Sequence, residues 1–465
     1  MRRWALRQPF FGAASVAAFA LLWAGAGAAS ETIERALAHA YNNNPTLNAQ
    51  RAANRATDEK VPQALSGYRP QVFGNADLGD TWSRSTFATP GLPPSETHLN
   101  PRGYGITTRQ TLFNGFQTGN LTRSAESQVL AARETLRNTE QNVLLDGVAA
   151  YMNVIRDAAI LTLQKQNIEA VRELLRATRD RFNVGEVTRT DVAQAEARLA
   201  AAESAFSVAQ ANLNASRAVY QRVIGDVPTQ LTPGRPVEHL VPKQIDAALI
   251  SAFNQHPAIA AARFGVDVAS LLVKVAEGTL FPTVSLESSL QKRHDLGSGV
   301  DTNITASVVG RLTVPIYQGG AEFSRIRESK ETLGQRRIEV DVARDQVRAA
   351  VIQSFGLLQA SRFQVEAGRA QVRATEIALN GVREEARVGQ RTTLDVLNAQ
   401  SELVNARVTL ASAERDRVVA SYSLLAAIGK LSASELKLQV AVYNPATHYN
   451  QVRDAWHGVR TPDGR

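Results

Sequence analysis

Four segments of the chain alternate apolar and polar residues with the period of two that sends successive strand side chains to opposite faces. In the last of them Ile304, Ala306, Val308, Gly310, Leu312, Val314 and Ile316 carry no polar side chain, while Thr305, Ser307, Arg311 and Thr313 interleave with them. The third sets Val284, Leu286 and Leu290 against Ser285, Glu287 and Gln291. The first sets Val72, Ala76, Leu78 and Trp82 against Asn75, Asp77 and Thr81. The second is less regular, with Tyr104, Ile106 and Leu112 against Thr107, Arg109 and Thr111. Strands are expected over 71–84, 103–113, 283–293 and 303–317. The loop from Ser85 to Pro101, rich in Pro, Ser and Thr, and the shorter one around Gly297-Ser298-Gly299 read as exposed turns.

Strands of about ten residues with one apolar and one polar face suit a membrane β-barrel. They equally suit a soluble sheet with one wet face. Four strands cannot close a barrel, since about eight is the usual minimum. Three copies of the chain, supplying twelve, would close one.

A different period governs the rest. From Phe116 to Phe182 there is no proline, and beyond the first turn Gly147 is the sole interior glycine. A helix of that span is about 100 Å long, too long for any compact core, so it must pack lengthwise on similar helices. Val129, Leu136, Val143 and Ala150 recur at heptad spacing, as do Leu333, Val340 and Val347 in the matching stretch 321–387. Further helices are expected over 31–67, 188–224, 246–279 and 392–428, broken by Asn-x-x-Pro turns and by Gly185 and Gly389. A plain periplasmic coiled-coil rod would explain the helices but not the strands.

These elements come twice. Ala36-Leu37-Ala38 through Asn44-Pro45 lines up with Ala248-Leu249-Ile250 through His256-Pro257, and Pro70 keeps the same offset to Pro282. After a shorter loop in the second copy a new constant offset pairs Phe113-Asn114-Gly115 with Tyr317-Gln318-Gly319, Gly185 with Gly389, Asp191 with Asp395, and Ile224-Gly225 with Ile428-Gly429. A period of roughly 200 residues means a duplicated domain, not a solenoid of short repeats. The repeats run 29–225 and 246–430, with a linker at 226–245 and a tail at 431–465.

Composition sets the compartment. Arg2, Arg3 and Arg7 precede an apolar run from Phe10 to Trp23 and the small residues Ala24 to Ser30, the pattern of a secretory signal peptide over 1–28. Cleavage after Ala28 is expected, with Ser30 the alternative. No later stretch approaches the roughly 18 apolar residues of a membrane helix, so a membrane location would require a closed β-barrel. The formal charge of +8 is scattered among acidic residues along helical patterns, which argues against a nucleic-acid partner. Cysteine is absent, which rules out disulfides and thiolate metal sites.

Taken together, the duplicated Asn-x-x-Pro turns, the proline-ended second helices, Phe113-Asn114-Gly115 with Tyr317-Gln318-Gly319, and the two Val-Gly-x-x-Thr-x-x-Asp segments resemble the TolC family of outer-membrane efflux and secretion proteins. The resemblance covers essentially the whole mature chain. The ending Tyr443-Asn444-Pro445-Ala446-Thr447-His448-Tyr449-Asn450 looks like members that serve type I secretion. It implies an α+β membrane protein: a homotrimer with a twelve-stranded barrel in the outer membrane, continuous with a long periplasmic α-helical barrel. It also implies an equatorial region from the linker and tail, and export through the outer membrane with a periplasmic adaptor and an inner-membrane transporter. Cofactors, metals and catalytic residues are not expected.

Thr188 with Asp191 and Thr392 with Asp395 each form an [ST]-x-x-[DE] helix start, so both aspartates have a capping duty. By the resemblance the paired pore-facing aspartates fall at Asp395 and Asn398, three apart on one helix face, and here the second is an amide. The gate arginine falls on Arg391, its partners on Thr190 and Asp191, and the gate tyrosine on Ala386. One carboxylate ring in place of two implies weaker cation selectivity, and the missing tyrosine a looser closed state. Two contrasting classes fit less well. An enzyme lacks support, because the seven histidines are scattered and neither a Walker loop nor a G-x-S-x-G motif occurs. A soluble periplasmic adaptor would have the coiled coil without four apolar-faced strands.

Overall fold

A computed structural model describes residues 31–297 and 299–464. The expected signal peptide lies outside the described residues. Strands β1 (Gln71–Leu78), β4 (Arg102–Asn114), β5 (Thr283–Gly297) and β6 (Val300–Thr313) form one antiparallel sheet in the order β1-β4-β5-β6. Among the described residues the outer edges of β1 and β6 are unpaired. Cross-strand register puts Gly74, Ile106, Leu290 and Ala306 on one line, and Ala76, Tyr104, Lys292 and Ile304 on the next. The opposite face carries the Arg293–Asp77 ion pair at 2.6 Å and the Ser289–Ser307 hydroxyl contact at 2.9 Å. The apolar face has no cover: Val308 is 71% and Leu312 64% exposed.

The strands differ from the alternation pattern at three places. The segment 71–84 divides, because after Gly79-Asp80 the strand β2 (Thr81–Ser85) leaves the sheet and pairs in a separate hairpin with β3 (Ser95–Leu99), which lies in the expected loop. A bulge between Thr111 and Phe113 shifts β4 by one residue, so Phe113 and not Leu112 stands beside Val284 and Leu312. Such an extra residue flips every side chain after it. The last strand ends at Thr313, two residues ahead of Pro315, whose ring nitrogen cannot donate to a ladder.

Two helical hairpins hang from this sheet: α4 (Gln117–Asn183) with α5 (Arg189–Ile224), and α8 (Ala321–Arg387) with α9 (Thr393–Ala427). Helices α4 and α8 are each 67 residues long, about 100 Å. The heptad residues Val129, Leu136, Val143 and Ala150 of α4 are all buried. Helix α4 packs on both α5 and α9, and α9 on α8, so the layer runs α5-α4-α9-α8. Among the described residues no helix is long and apolar enough to cross a membrane. The turn from sheet to rod depends on Gly115, whose φ is +63° and whose Cβ would stand 2.2 Å from the Gly278 carbonyl oxygen.

Shorter helices wrap the upper rods. The helices expected over 31–67 are α1 (Ile33–Asn43), α2 (Pro45–Asp58) and α3 (Lys60–Leu65), and those over 246–279 are α6 (Ile245–Gln255) and α7 (Pro257–Gly278). The tail adds α10 (Pro445–Val452), held to α2 by the His448–Asp58 pair at 3.0 Å. The main core gathers here, around the buried rings of Tyr41, Tyr151, Tyr220 and Tyr422. The Tyr151 hydroxyl bonds the Thr232 carbonyl at 2.7 Å and the Glu31 carbonyl at 2.8 Å, tying the linker to the start of the fold.

Asn44 and His256 do the same job in the two halves. The Asn44 side chain accepts from the Thr46 amide at 2.9 Å, and His256 Nδ1 accepts from the Ala258 amide at 3.2 Å, each ahead of a proline at the first helical turn. Burial, and then Arg137, pulls the His256 imidazole down to about 4. The unfolded chain therefore binds the proton more readily than the folded one, so stability is full above the ordinary histidine value of about 6.5 and is lost as pH falls from there towards about 4. The loss is at most about 3 kcal/mol. The expected result is that thermal unfolding of the wild type weakens across this window, whereas His256→Asn, which keeps a capping acceptor, removes this contribution.

Candidate functional site

The far ends of the rods are built the same way twice. Helix α4 stops in a two-bond wrap, the Glu186 amide to the Arg181 carbonyl and the Gly185 amide to the Phe182 carbonyl, both at 2.9 Å. Helix α8 stops likewise, with Gln390 to Glu385 at 2.9 Å and Gly389 to Ala386 at 3.3 Å. This is the Schellman stop. It requires φ of +81° at Gly185 and +79° at Gly389, which is why glycine stands there although a Cβ would meet nothing within 4 Å.

The return helices start in reciprocal caps. The Asp395 amide donates to Thr392 Oγ1 at 3.2 Å, while the Thr392 amide and hydroxyl donate to Asp395 Oδ2 at 3.0 and 2.8 Å. Thr188 and Asp191 repeat this at 3.3, 2.8 and 2.7 Å. The backbone amide and then the hydroxyl of Thr392 hold the Asp395 carboxyl below the usual range, and the Thr188 hydroxyl and then its amide do so for Asp191. Both aspartates stay ionised at any physiological pH.

Asp395 and Asn398 share one face of α9, with Asn398 exposed and Asp395 partly so. Asn398 is not free: its Oδ1 accepts from the Arg198 guanidinium of α5 at 3.0 Å. Arg391 does not meet Thr190 or Asp191 within the chain; its Nε donates to Glu385 Oε2 at 2.8 Å inside its own hairpin. Glu385 and then Asp395 favour its charged form. Ala386, at the position of the gate tyrosine, packs against a small core of Leu379, Val396 and Leu403. A second core, Val171, Leu175, Ala195 and Leu397, joins the two hairpins. The sequence reading overlooked Arg198 and Glu385. For Arg198 a signal existed, because it lies seven residues after Asp191 and so on the same helix face.

A sheet with one bare apolar face, carried on helical hairpins about 100 Å long, is the architecture of an outer-membrane channel with a periplasmic extension. The chain belongs to the outer membrane efflux protein family, whose model matches residues 36–225 and again 249–430. It is 45% identical to the outer membrane efflux protein BepC of Brucella suis, with 97% of each chain covered. It is 25% identical to the outer membrane protein TolC of Escherichia coli over 88% of this chain and 84% of that one. The solved structure of the CmeC outer membrane channel of Campylobacter jejuni has the same fold, at a TM-score of 0.76 and 16% identity over 91% and 89% of the two chains. The protein is an outer-membrane efflux or secretion channel that reaches into the periplasm.

The stops at the tip can be tested by a pair of substitutions. Gly389→Ala should lower stability by about 1 kcal/mol, because a Cβ is strained at positive φ. Gly381→Ala, inside α8 with open space around it, should raise stability by up to about 1 kcal/mol. Thermal unfolding and hydrogen exchange across 385–395 would read both.

Proposed function

We propose that the channel is a homotrimer in which three sheets close a twelve-stranded barrel in the outer membrane and three pairs of hairpins close a helical barrel below it. The observation that carries this reading is that both layers end in unsatisfied edges. The sheet leaves the backbone groups of β1 and β6 unpaired, which lipid does not tolerate. The helix layer ends in α5 and α8, and α8 leaves Ile338, Val342, Ile352, Phe363 and Ile377 uncovered, at 47–74% exposure. Ile338 and Ile352 lie two heptads apart, as do Phe363 and Ile377, which makes one seam for a neighbouring helix. The exposed large apolar residues of α5, Val208 and Val219, supply a matching edge.

In this reading the chain is an internal duplication, with repeats over 29–225 and 246–430, a linker at 226–245 and a tail at 431–465. The double family match and the paired caps support it. Asp395 and Asn398 line the narrowest point of the trimer. Arg391 reaches Thr190 and Asp191 of a neighbouring protomer when the tip closes, exchanging its Glu385 partner. The tip docks a periplasmic adaptor that links the duct to an inner-membrane transporter. The ending Asn444 to Asn450 favours a type I secretion system as one assembly the duct serves.

Native mass measurement in detergent should give three chains, and a stable monomer would overturn the closure. Val308→Arg places a charge on the lipid face and should cost about 2–4 kcal/mol near the bilayer midplane. Thr305→Arg faces the lumen and should be mild. Equal loss of heat-modifiable trimer from both would overturn the assignment of faces.

A further inference from the structure

The amide at Asn398 brings a cation with it. Arg198 donates to Asn398 Oδ1 at 3.0 Å across the seam between α5 and α9. Below that contact Ala195 and Leu397 pack in the core that joins the hairpins, so the two backbones are held together there. The charge of Arg198 is not neutralised by its neighbours. Glu196 is engaged by Arg179 at 2.6 Å and Glu203 by Arg172 at 3.4 Å, both partners lying on α4. Arg198 points away from that side, and among the described residues no carboxylate pairs with it. On α9 the face that carries Asp395 and Asn398 continues, one turn on, to Glu402, which is exposed and pairs with no cation among the described residues.

We propose that Arg198 is a selectivity-determining residue of the aperture, setting a ring of guanidinium groups beside the ring of Asp395 carboxylates. This rests on the reading that Asp395 and Asn398 line the narrowest point. Residues 395 and 398 are about 4.5 Å apart along the helix axis. That is shorter than the Debye length of about 8 Å at physiological salt, so a permeating ion feels both rings together. An aperture with carboxylates alone repels anionic cargo and binds multivalent cations. Here the arginines, set between the Asp395 ring and Glu402 one turn on, offset part of that field, and the duct admits acidic and zwitterionic substrates more readily than unopposed carboxylate rings would. The same bond ties α5 to α9 at the level where the sequence lacks a gate tyrosine.

The test is reversal potential across a KCl gradient in planar bilayers, with trimer recovery measured for every variant. Arg198→Gln should raise the potassium-to-chloride permeability ratio by roughly threefold and introduce block by trivalent cations. Arg198→Lys keeps the charge without the forked donor and should behave as wild type. Asp395→Asn should shift the ratio the other way. If Asp395→Asn shifts selectivity while Arg198→Gln does not, the role of Arg198 is overturned and the constriction reading stands. If Arg198→Lys moves the ratio as far as Arg198→Gln, the effect is one of geometry and the proposed charge ring is overturned. If neither Asp395→Asn nor Arg198→Gln moves it, those residues do not line the narrowest point, and both readings fall.

Discussion

A helix about 100 Å long that buries only one stripe is not stable by itself, and the rest of this molecule follows from that. Each rod of 67 residues must be covered along its length by other rods. Within the chain α4 is covered by α5, α9 and α7, and its heptad residues are correspondingly buried. Helix α8 is covered by α9 along its lower part and by α7 above, yet Ile338, Val342, Ile352, Phe363 and Ile377 on it stay open. Small residues at the seams (Ala195, Ala202 and Ala209 on α5 are all buried) let the backbones approach closely. The hairpin tips then hold no large core. They are kept in shape by local devices, the Schellman stops and the capping boxes, in which nearly every strong contact is within one hairpin.

That division explains what could be read from the sequence. The long helices, the stops at Gly185 and Gly389, and the capping pairs were legible because period and turn chemistry are local properties. The strand faces were legible for the same reason over β5 and β6. What escaped depends on contacts between distant residues. The β2–β3 hairpin draws on Trp82 pairing with His98 across a loop of mostly turn-forming residues, and period alone does not show a strand leaving its sheet. The bulge beside Leu112 becomes visible only when β4 is set against β5. The partners of the candidate site were the least legible. Arg391 goes to Glu385, six residues back across the stop, and Asn398 to Arg198 on another hairpin altogether.

Capping and pore lining are often treated as competing explanations for an aspartate at a helix start. In this tip they are compatible, because the cap uses one carboxylate oxygen. Both donors of Thr392 go to Asp395 Oδ2, as both donors of Thr188 go to Asp191 Oδ2. The other oxygen is left to solvent or to an ion. The cap also holds the carboxyl below its usual range, so its charge persists. What separates Asp395 from Asp191 is therefore not the cap but what stands one turn further along the helix. Asp191 is followed by Gln194 and then Arg198, whereas Asp395 is followed by Asn398 and then Glu402. The two hairpins carry identical caps and differ in the charge beyond them, and the hydrogen bond from Arg198 to Asn398 brings those two unlike faces into contact.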